Sequence, residues 1–421
     1  MRVLVFEPQF LGHNLAHAAR VVRELANLPC EVTVATSRQA AESQEFAVQF
    51  RGLEGFYSTK ITSGFRLDDD GRKVRTTGLS GARAAYSALR QALIETKPDH
   101  VFVPYGNVLA RIAFLPAGLS RRLEATGAEA ETLLVGGRYA LPPRDWQARL
   151  RQRISFNLLA RGPWSSVFHL DPRAVNTMQQ HSPQLARRAK LMPEPVALSE
   201  PLSRLQARRL LGIPEEGRCI VVTGLIELRK GIDILASALG DLRGAVRLVL
   251  AGKCDASTRA WLEARCGDEL RTGRILCLDR YLSQREFHAA VYAADVVAAV
   301  YPRHLHSSSV VVAAAAAERP VLGADSGWIG NAIDSFDLGL TCQPNDLGDV
   351  TRALRQSLAM ADRFRLSPRG ERFVTFNSES NFGAHWTRRL RERMGLAQSP
   401  SYCDWSRVIA PVELAPLRRA A

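Results

Sequence analysis

SSSVVVAAAAAERPVLGADSG, residues 307–327, is the stretch on which the reading of this chain turns. Three small hydroxyl residues stand before an unbroken run of Val and Ala, the pattern of a buried helix with a serine at its N-cap. The first turn of such a helix leaves backbone N–H groups without partners and carries the positive end of the helix dipole. That end is a ready anion site. Arg319-Pro320 stops the helix, and Val321-Leu322-Gly323 opens a short buried strand. A small-residue loop, a buried helix and an inner strand suit a phosphate-bearing ligand, and they equally suit a capped core helix with no ligand.

The rest of the chain alternates in the same way. Val3–Phe6, a turn at Leu11-Gly12-His13, a helix over Leu15–Leu28 and a strand over Glu31–Thr36 form one βαβ unit. Apolar runs follow at His100–Val103, Thr132–Val135 and Ser166–Leu170, with a helix over Ala82–Thr96. After the break at Leu191–Val196, strands are expected at Arg218–Thr223, Ala245–Leu250, Arg274–Leu278 and Val296–Val300. Helices between them fall at Ile232–Leu239, Thr258–Arg265 and Ser283–Ala293. Strands alternating with helices predict parallel sheets covered on both faces, with ligands at the carboxyl ends of the strands. We therefore expect an α/β chain of two Rossmann-like doubly wound domains facing each other across a cleft, residues 1–195 and 196–380, hinged near Pro193 and Pro195. A helix (Phe382–Met394) and a loosely ordered tail after Gln398 complete it over 381–421.

Composition narrows the class. The chain is 46% hydrophobic and 23% charged, as folded soluble proteins are. No apolar run approaches the roughly 20 residues that span a bilayer, and Glu7-Pro8 interrupt the apolar start, so a cytoplasmic location is expected. Seven scattered cysteines without a C-x-x-C pair favour neither a disulfide framework nor a metal site. The net charge of +14 is carried almost entirely by arginine, since only six lysines occur. Such an excess suits phosphorylated substrates, acidic glycans or a lipid surface, or reflects codon habit. Basic residues clustered with aromatics, as nucleic-acid binding requires, are not found.

Between 144 and 161, Trp146, Leu150, Ile154 and Leu158 recur every four residues, with Arg149, Arg151, Arg153 and Arg161 among them. A basic amphipathic helix of this kind lies on an anionic membrane or packs its apolar side on the sheet. The need of a Rossmann-type domain for covering helices favours packing.

The second half resembles the retaining glycosyltransferases of the family-4 type, which have the GT-B fold. Arg209–Pro214 is similar to the family's "LGIP" lead-in, and Thr223-Gly224-Leu225 through Arg229-Lys230-Gly231-Ile232-Asp233 to its "G…KGID" segment. Val249–Gly252 resembles "vlaG", and Tyr292–Val296 with Tyr301-Pro302 resembles "yaaADv…P". Arg319-Pro320-Val321 and Ser326-Gly327 resemble "GkPV" and "vGG". The resemblance implies transfer of a sugar from a nucleotide-activated donor to a glycan, lipid-linked or small-molecule acceptor, with no cofactor and no bound metal.

The donor diphosphate would be held by Gly224, Arg229 and Lys230 on one side and His306, Ser307, Ser308 and Ser309 on the other. Lys230 occupies the family's diphosphate-binding slot. Gly12 and His13 sit where related enzymes carry "GH" or "GG". His13 would deprotonate an acceptor hydroxyl or contact the diphosphate. Glu7 and Arg138 are weaker candidates for the same crevice.

The departures are equally specific. Two family glutamates, one holding the donor sugar and one the nucleotide ribose, fall on Leu305 and Ala313, and the glycine before "kPV" is Glu318. A divergent donor site, a catalytically silent GT-B protein acting as a partner, and a nucleotide-sugar 2-epimerase all remain open. The epimerase would want paired carboxylates and histidines of which the sequence offers no clear set.

Overall fold

The computed structural model describes residues 1–9, 14–63, 79–107, 109, 123, 125–135, 143, 145–196 and 200–408. The chain divides into two compact units. One comprises Met1–Pro193 with Ser380–Tyr402, the other Glu194–Glu379 with the residues from Cys403 onward.

The first unit is built on seven strands: β1 (Arg2–Phe6), β2 (Glu31–Ser37), β3 (Ser58–Thr62), β4 (His100–Val103), β5 (Glu129–Leu134), β6 (Trp164–His169) and β7 (Ala189–Leu191). Their order is β3-β2-β1-β4-β5-β6-β7 and every pairing is parallel. Val3–Phe6 and Val101–Val103 are buried throughout, as an inner parallel sheet covered on both faces demands. Helix α1 (Asn14–Leu25) buries Leu15, Val21, Val22 and Leu25 on this sheet. It stops three residues before the expected Leu28. Helices α2 (Leu79–Thr96) and α3 (Trp146–Arg161) follow.

The C-terminal helix Glu379–Arg393 belongs to this first unit and is not a separate appendage. Phe382, Trp386 and Leu390 join Val3, Phe102 and Phe168 in one apolar cluster. The Trp386 ring meets Phe102 and Phe168 edge-on, with centroids 5.4 and 5.1 Å away. After Gln398 the described residues, as far as Val408, stay packed, and the rest of the expected loose tail lies outside the described residues. Trp405 returns to the second unit and packs against Phe336 and Phe376, at 5.6 and 4.6 Å.

The second unit carries β8 (Arg218–Thr223), β9 (Val246–Ala251), β10 (Ile275–Leu278), β11 (Val296–Ala299), β12 (Val321–Ala324) and β13 (Gly339–Cys342), again all parallel, in the order β10-β9-β8-β11-β12-β13. Its helices are α4 (Arg204–Leu211), α5 (Ile232–Gly240), α6 (Ala256–Arg265), α7 (Gln284–Ala293), α8 (Ser309–Ala316), α9 (Gly327–Phe336), α10 (Leu347–Met360) and α11 (Pro368–Phe376). Glu194 and Val196 donate their amides to the Asn377 side chain and carbonyl, at 2.8 and 3.0 Å. Of the three points at which the chain passes between units, after Pro193, Glu379 and Tyr402, the first is thus tied to the segment just before the second.

Helix α8 ends before the arginine–proline pair expected to stop it. Ala317 is its C-cap, and Glu318 follows in the left-handed region at φ 51°. A non-glycine residue there costs about 1–2 kcal/mol. Replacing it with glycine returns part of that to the unfolded chain as entropy. Glu318→Gly should therefore stabilise the protein by roughly 0.5–1 kcal/mol, read from urea unfolding curves.

Candidate active site

In each sheet the strand order reverses direction once, between β1 and β4 and between β8 and β11. Loops leaving the carboxyl ends of strands on either side of such a point diverge and leave room for a ligand. In the second unit, β8 leads into the segment carrying Lys230, and β11 into the segment carrying Tyr301, His304 and the serines.

Lys230 is 6% exposed. Its Nζ donates to the Thr223 carbonyl at the end of β8 (2.6 Å) and lies 5.6 Å from the centroid of the Tyr301 ring. Burial, and then the charge of Arg229, push this amine down to about 7. At neutral pH it is poised between ammonium and amine. Gly224 turns beneath it at φ 91°, and a methyl group there would stand 3.2 Å from Nζ. Arg229 is exposed and pairs with Glu227, while its charge still bears on Lys230 and His304.

Beyond β11, the Tyr301 and His304 rings meet edge-on at 5.4 Å, and His304 meets the exposed His306 at 5.6 Å. His304 Nε2 lies 3.5 Å from the Ser307 carbonyl. Burial and the surrounding positive groups, His306 foremost, hold the imidazole down at about 4, so it is neutral at pH 7. The Tyr301 hydroxyl is fully buried with no partner, and burial raises its pKa well above the ordinary phenol value.

The helix starts around this crevice share one property. Ser203, Asp255, Ser283, Asp346 and Ser367 cap α4, α6, α7, α10 and α11 with a side-chain oxygen. By contrast α5, α8 and α9, which follow β8, β11 and β12, begin at Gly231, Ser308 and Ser326 with no side-chain cap. The one-turn helix Gly267–Arg271 lacks a cap too, but it continues α6 at the sheet edge. Ser308 takes the N-cap position, yet its hydroxyl leaves the leading amides unserved. The uncapped N-termini of α5 and α8 at this switch point leave N–H donors and positive dipole ends for an anion, and the positive end of α9 lies beside them. The backbone there is close-packed. A methyl group on Gly231 would meet the Val300 carbonyl at 2.1 Å, and one on Gly327 the His304 carbonyl at 2.4 Å.

The structure thus brings Gly224, Lys230, His306 and Ser307–Ser309 to one crevice, with the exposed Arg229 beside Lys230 and paired with Glu227. The sequence alone did not single out three features. These are the Thr223 carbonyl and Tyr301 ring that hold Lys230, and the α9 start as a third donor end. Tyr301 and Ser326-Gly327 were visible in the motifs, but not as groups facing Lys230 and His304. At the two family glutamate positions, Leu305 is half-buried and Ala313 fully buried. Gly12, His13 and Arg138 lie outside the described residues. Glu7 is fully buried. One oxygen accepts from the Gln9 amide at 3.0 Å, the other has no partner among the described residues, and burial raises its pKa well above the usual carboxylate range.

Residues 217–360 match the family model of glycosyl transferases group 1, so the crevice lies within the matched stretch. The chain is 30% identical over 146 residues to glycogen synthase of Mycobacterium tuberculosis, a match spanning a third (33%) of either protein. Sucrose-phosphate synthase from Thermosynechococcus elongatus superposes with a TM-score of 0.71 at 15% identity, covering 94% of this chain and 99% of that one. HepE of Anabaena, solved with UDP and glucose, gives a TM-score of 0.63 at 13% identity over 93% and 100%. The fold of this chain is the two-sheet GT-B fold of glycosyltransferases.

Proposed function

We propose that this protein is a nucleotide-sugar-dependent glycosyltransferase of the group 1 type that transfers a hexosyl group with retention of anomeric configuration. Its acceptor is a glycan, a lipid-linked molecule or a small molecule, as in polysaccharide assembly. The observation that carries the reading is Lys230, buried on the Tyr301 ring at a switch point ringed by uncapped helix starts. In the transfer, the bond between the anomeric carbon and the diphosphate oxygen breaks and its electron pair stays on the diphosphate. The acceptor oxygen bonds the carbon and gives up its proton. Charge grows on the leaving diphosphate, where a fixed cation and preorganised N–H donors lower the barrier most. Lys230 and the first amides of α8 supply these, and the donor needs no metal. His13 keeps its assignment as acceptor base on the sequence alone. The match to group 1 glycosyltransferases and the UDP and glucose bound by HepE support the donor class.

Calorimetric titration with UDP-, GDP- and TDP-sugars tests this. We expect one nucleotide series to bind, with slow donor hydrolysis in the absence of acceptor. A second reading has its own support. Leu305 and Ala313 remove both donor carboxylates, as in a GT-B protein that binds partners without catalysis. Absence of binding to every donor would favour it.

A further inference from the structure

Helix α3 carries apolar residues on two opposite faces. Phe156 and Leu159 are buried against the first unit. The four-residue series expected to make that contact does not. Trp146, Leu150 and Ile154 are 71%, 50% and 46% exposed, and only Leu158 of the series is half-buried. At 3.6 residues per turn these three form one stripe, directly opposite the packed face. Arg149 and Arg153 flank it on one side and Arg151 on the other, all exposed. The helix contains no Asp or Glu, and among the described residues none of its four arginines pairs with a carboxylate. An exposed helix face is ordinarily kept in water by mixed charges; this one is apolar and purely cationic.

We propose that this face docks the protein on an anionic lipid bilayer. An indole and two aliphatic side chains entering the headgroup boundary bury the stripe. Arginines on both flanks keep their stems along it while their guanidinium groups reach lipid phosphates. Four positive charges without a negative one exclude a basic partner. A second copy of the chain would bring the same four charges against themselves, which disfavours self-association through this face. The inference does not depend on the transferase reading, since docking needs neither donor nor acceptor.

The test is co-sedimentation of the full-length protein with vesicles, scored without nucleotide. Binding is expected to vesicles of roughly one-third phosphatidylglycerol in phosphatidylcholine. It should be far weaker on phosphatidylcholine alone, and should fall between about 0.05 M and about 0.5 M salt. Trp146 is the only exposed tryptophan of six, so quenching by brominated acyl chains reports its insertion. Trp146→Ser with Leu150→Ser and Ile154→Ser should weaken binding at least tenfold. Arg149→Gln with Arg151→Gln and Arg153→Gln should weaken it about a hundredfold, at roughly fivefold per charge. Both triple variants alter exposed side chains only, so an unchanged melting temperature certifies their fold. Wild-type protein left in the supernatant, or binding indifferent to either triple variant, overturns the proposal. So does a dimer in sedimentation velocity that the serine variant dissolves, because the stripe would then be a self-contact.

Discussion

Lys230→Ala is expected to lose donor turnover by about two to three orders of magnitude, the cost of removing one preorganised group from a developing anion. Its melting temperature should stay nearly where it was. The amine carries a burial penalty in the folded protein, and among the described residues it donates to the Thr223 carbonyl alone. The variant therefore trades one desolvated cation for one unsatisfied carbonyl. Unaltered turnover would remove the lysine from the mechanism; a collapse of stability would make it a structural residue. The same group sets a pH dependence. Its folded pKa, about 7, lies below the unfolded value of 10.5. Below about pH 7 both states hold the proton and the penalty is complete. Between about 7 and 10.5 only the unfolded state holds it, so this group's contribution to stability rises with pH across that window. A bound diphosphate favours the ammonium form and raises the pKa. Binding near pH 8 should therefore take up a proton, seen as a buffer-dependent calorimetric enthalpy. Affinity should weaken above about pH 7.5 by up to about tenfold per unit. Lys230→Met should show neither effect.

The largest loss of stability is expected at Asp295, far from any substrate. Asp295 is fully buried at the start of β11. It accepts from Arg208 and the Cys219 amide, both at 2.7 Å, and from Arg218 at 2.9 Å, and forms an ion pair with Arg204 at 3.0 Å. Arg218 and Arg204 also reach Asp362 at the surface. Arg208 is 3% exposed and has no other carboxylate among its bonds. Removing the carboxylate leaves that guanidinium buried and uncompensated, a loss of about 3–5 kcal/mol. Asp295→Ala should lower the urea midpoint accordingly, and a change below about 1 kcal/mol would show that Asp362 takes over the pairing. Asp295 ties together the amino ends of β8 and β11, away from the carboxyl ends where the crevice lies, so its role is register and not chemistry.

The architecture was legible because both sheets are parallel and inner. Strands such as Arg218–Thr223 and His100–Val103 are continuous apolar runs whose limits the alternation with helices marks directly. The α3 stripe was misjudged for a related reason. Phe156 and Leu159 also recur in the helix, and a one-dimensional pattern cannot say which of two apolar faces finds the sheet. Glu318 could not be read as left-handed, because a side chain that departs from the family's glycine argues against the conformation it adopts. At the site, Lys230 was singled out through the family resemblance and the serines as the lead-in to an apolar helix. The ring beneath the lysine was not, since Tyr301 lies seventy-one positions away and is brought there only by the pairing of β8 with β11. Absent caps left no mark either: Ser308 has the composition of a cap and the geometry of an open end.

The helix Glu379–Arg393 closes the first unit with residues made after the whole second sheet. On the ribosome, the Glu194–Glu379 stretch of the second unit can begin folding while Phe102 and Phe168 still await Trp386, and that unit in turn receives Trp405 only afterwards. Until its last turns emerge, the nascent protein carries an open apolar seam that a chaperone would have to shield.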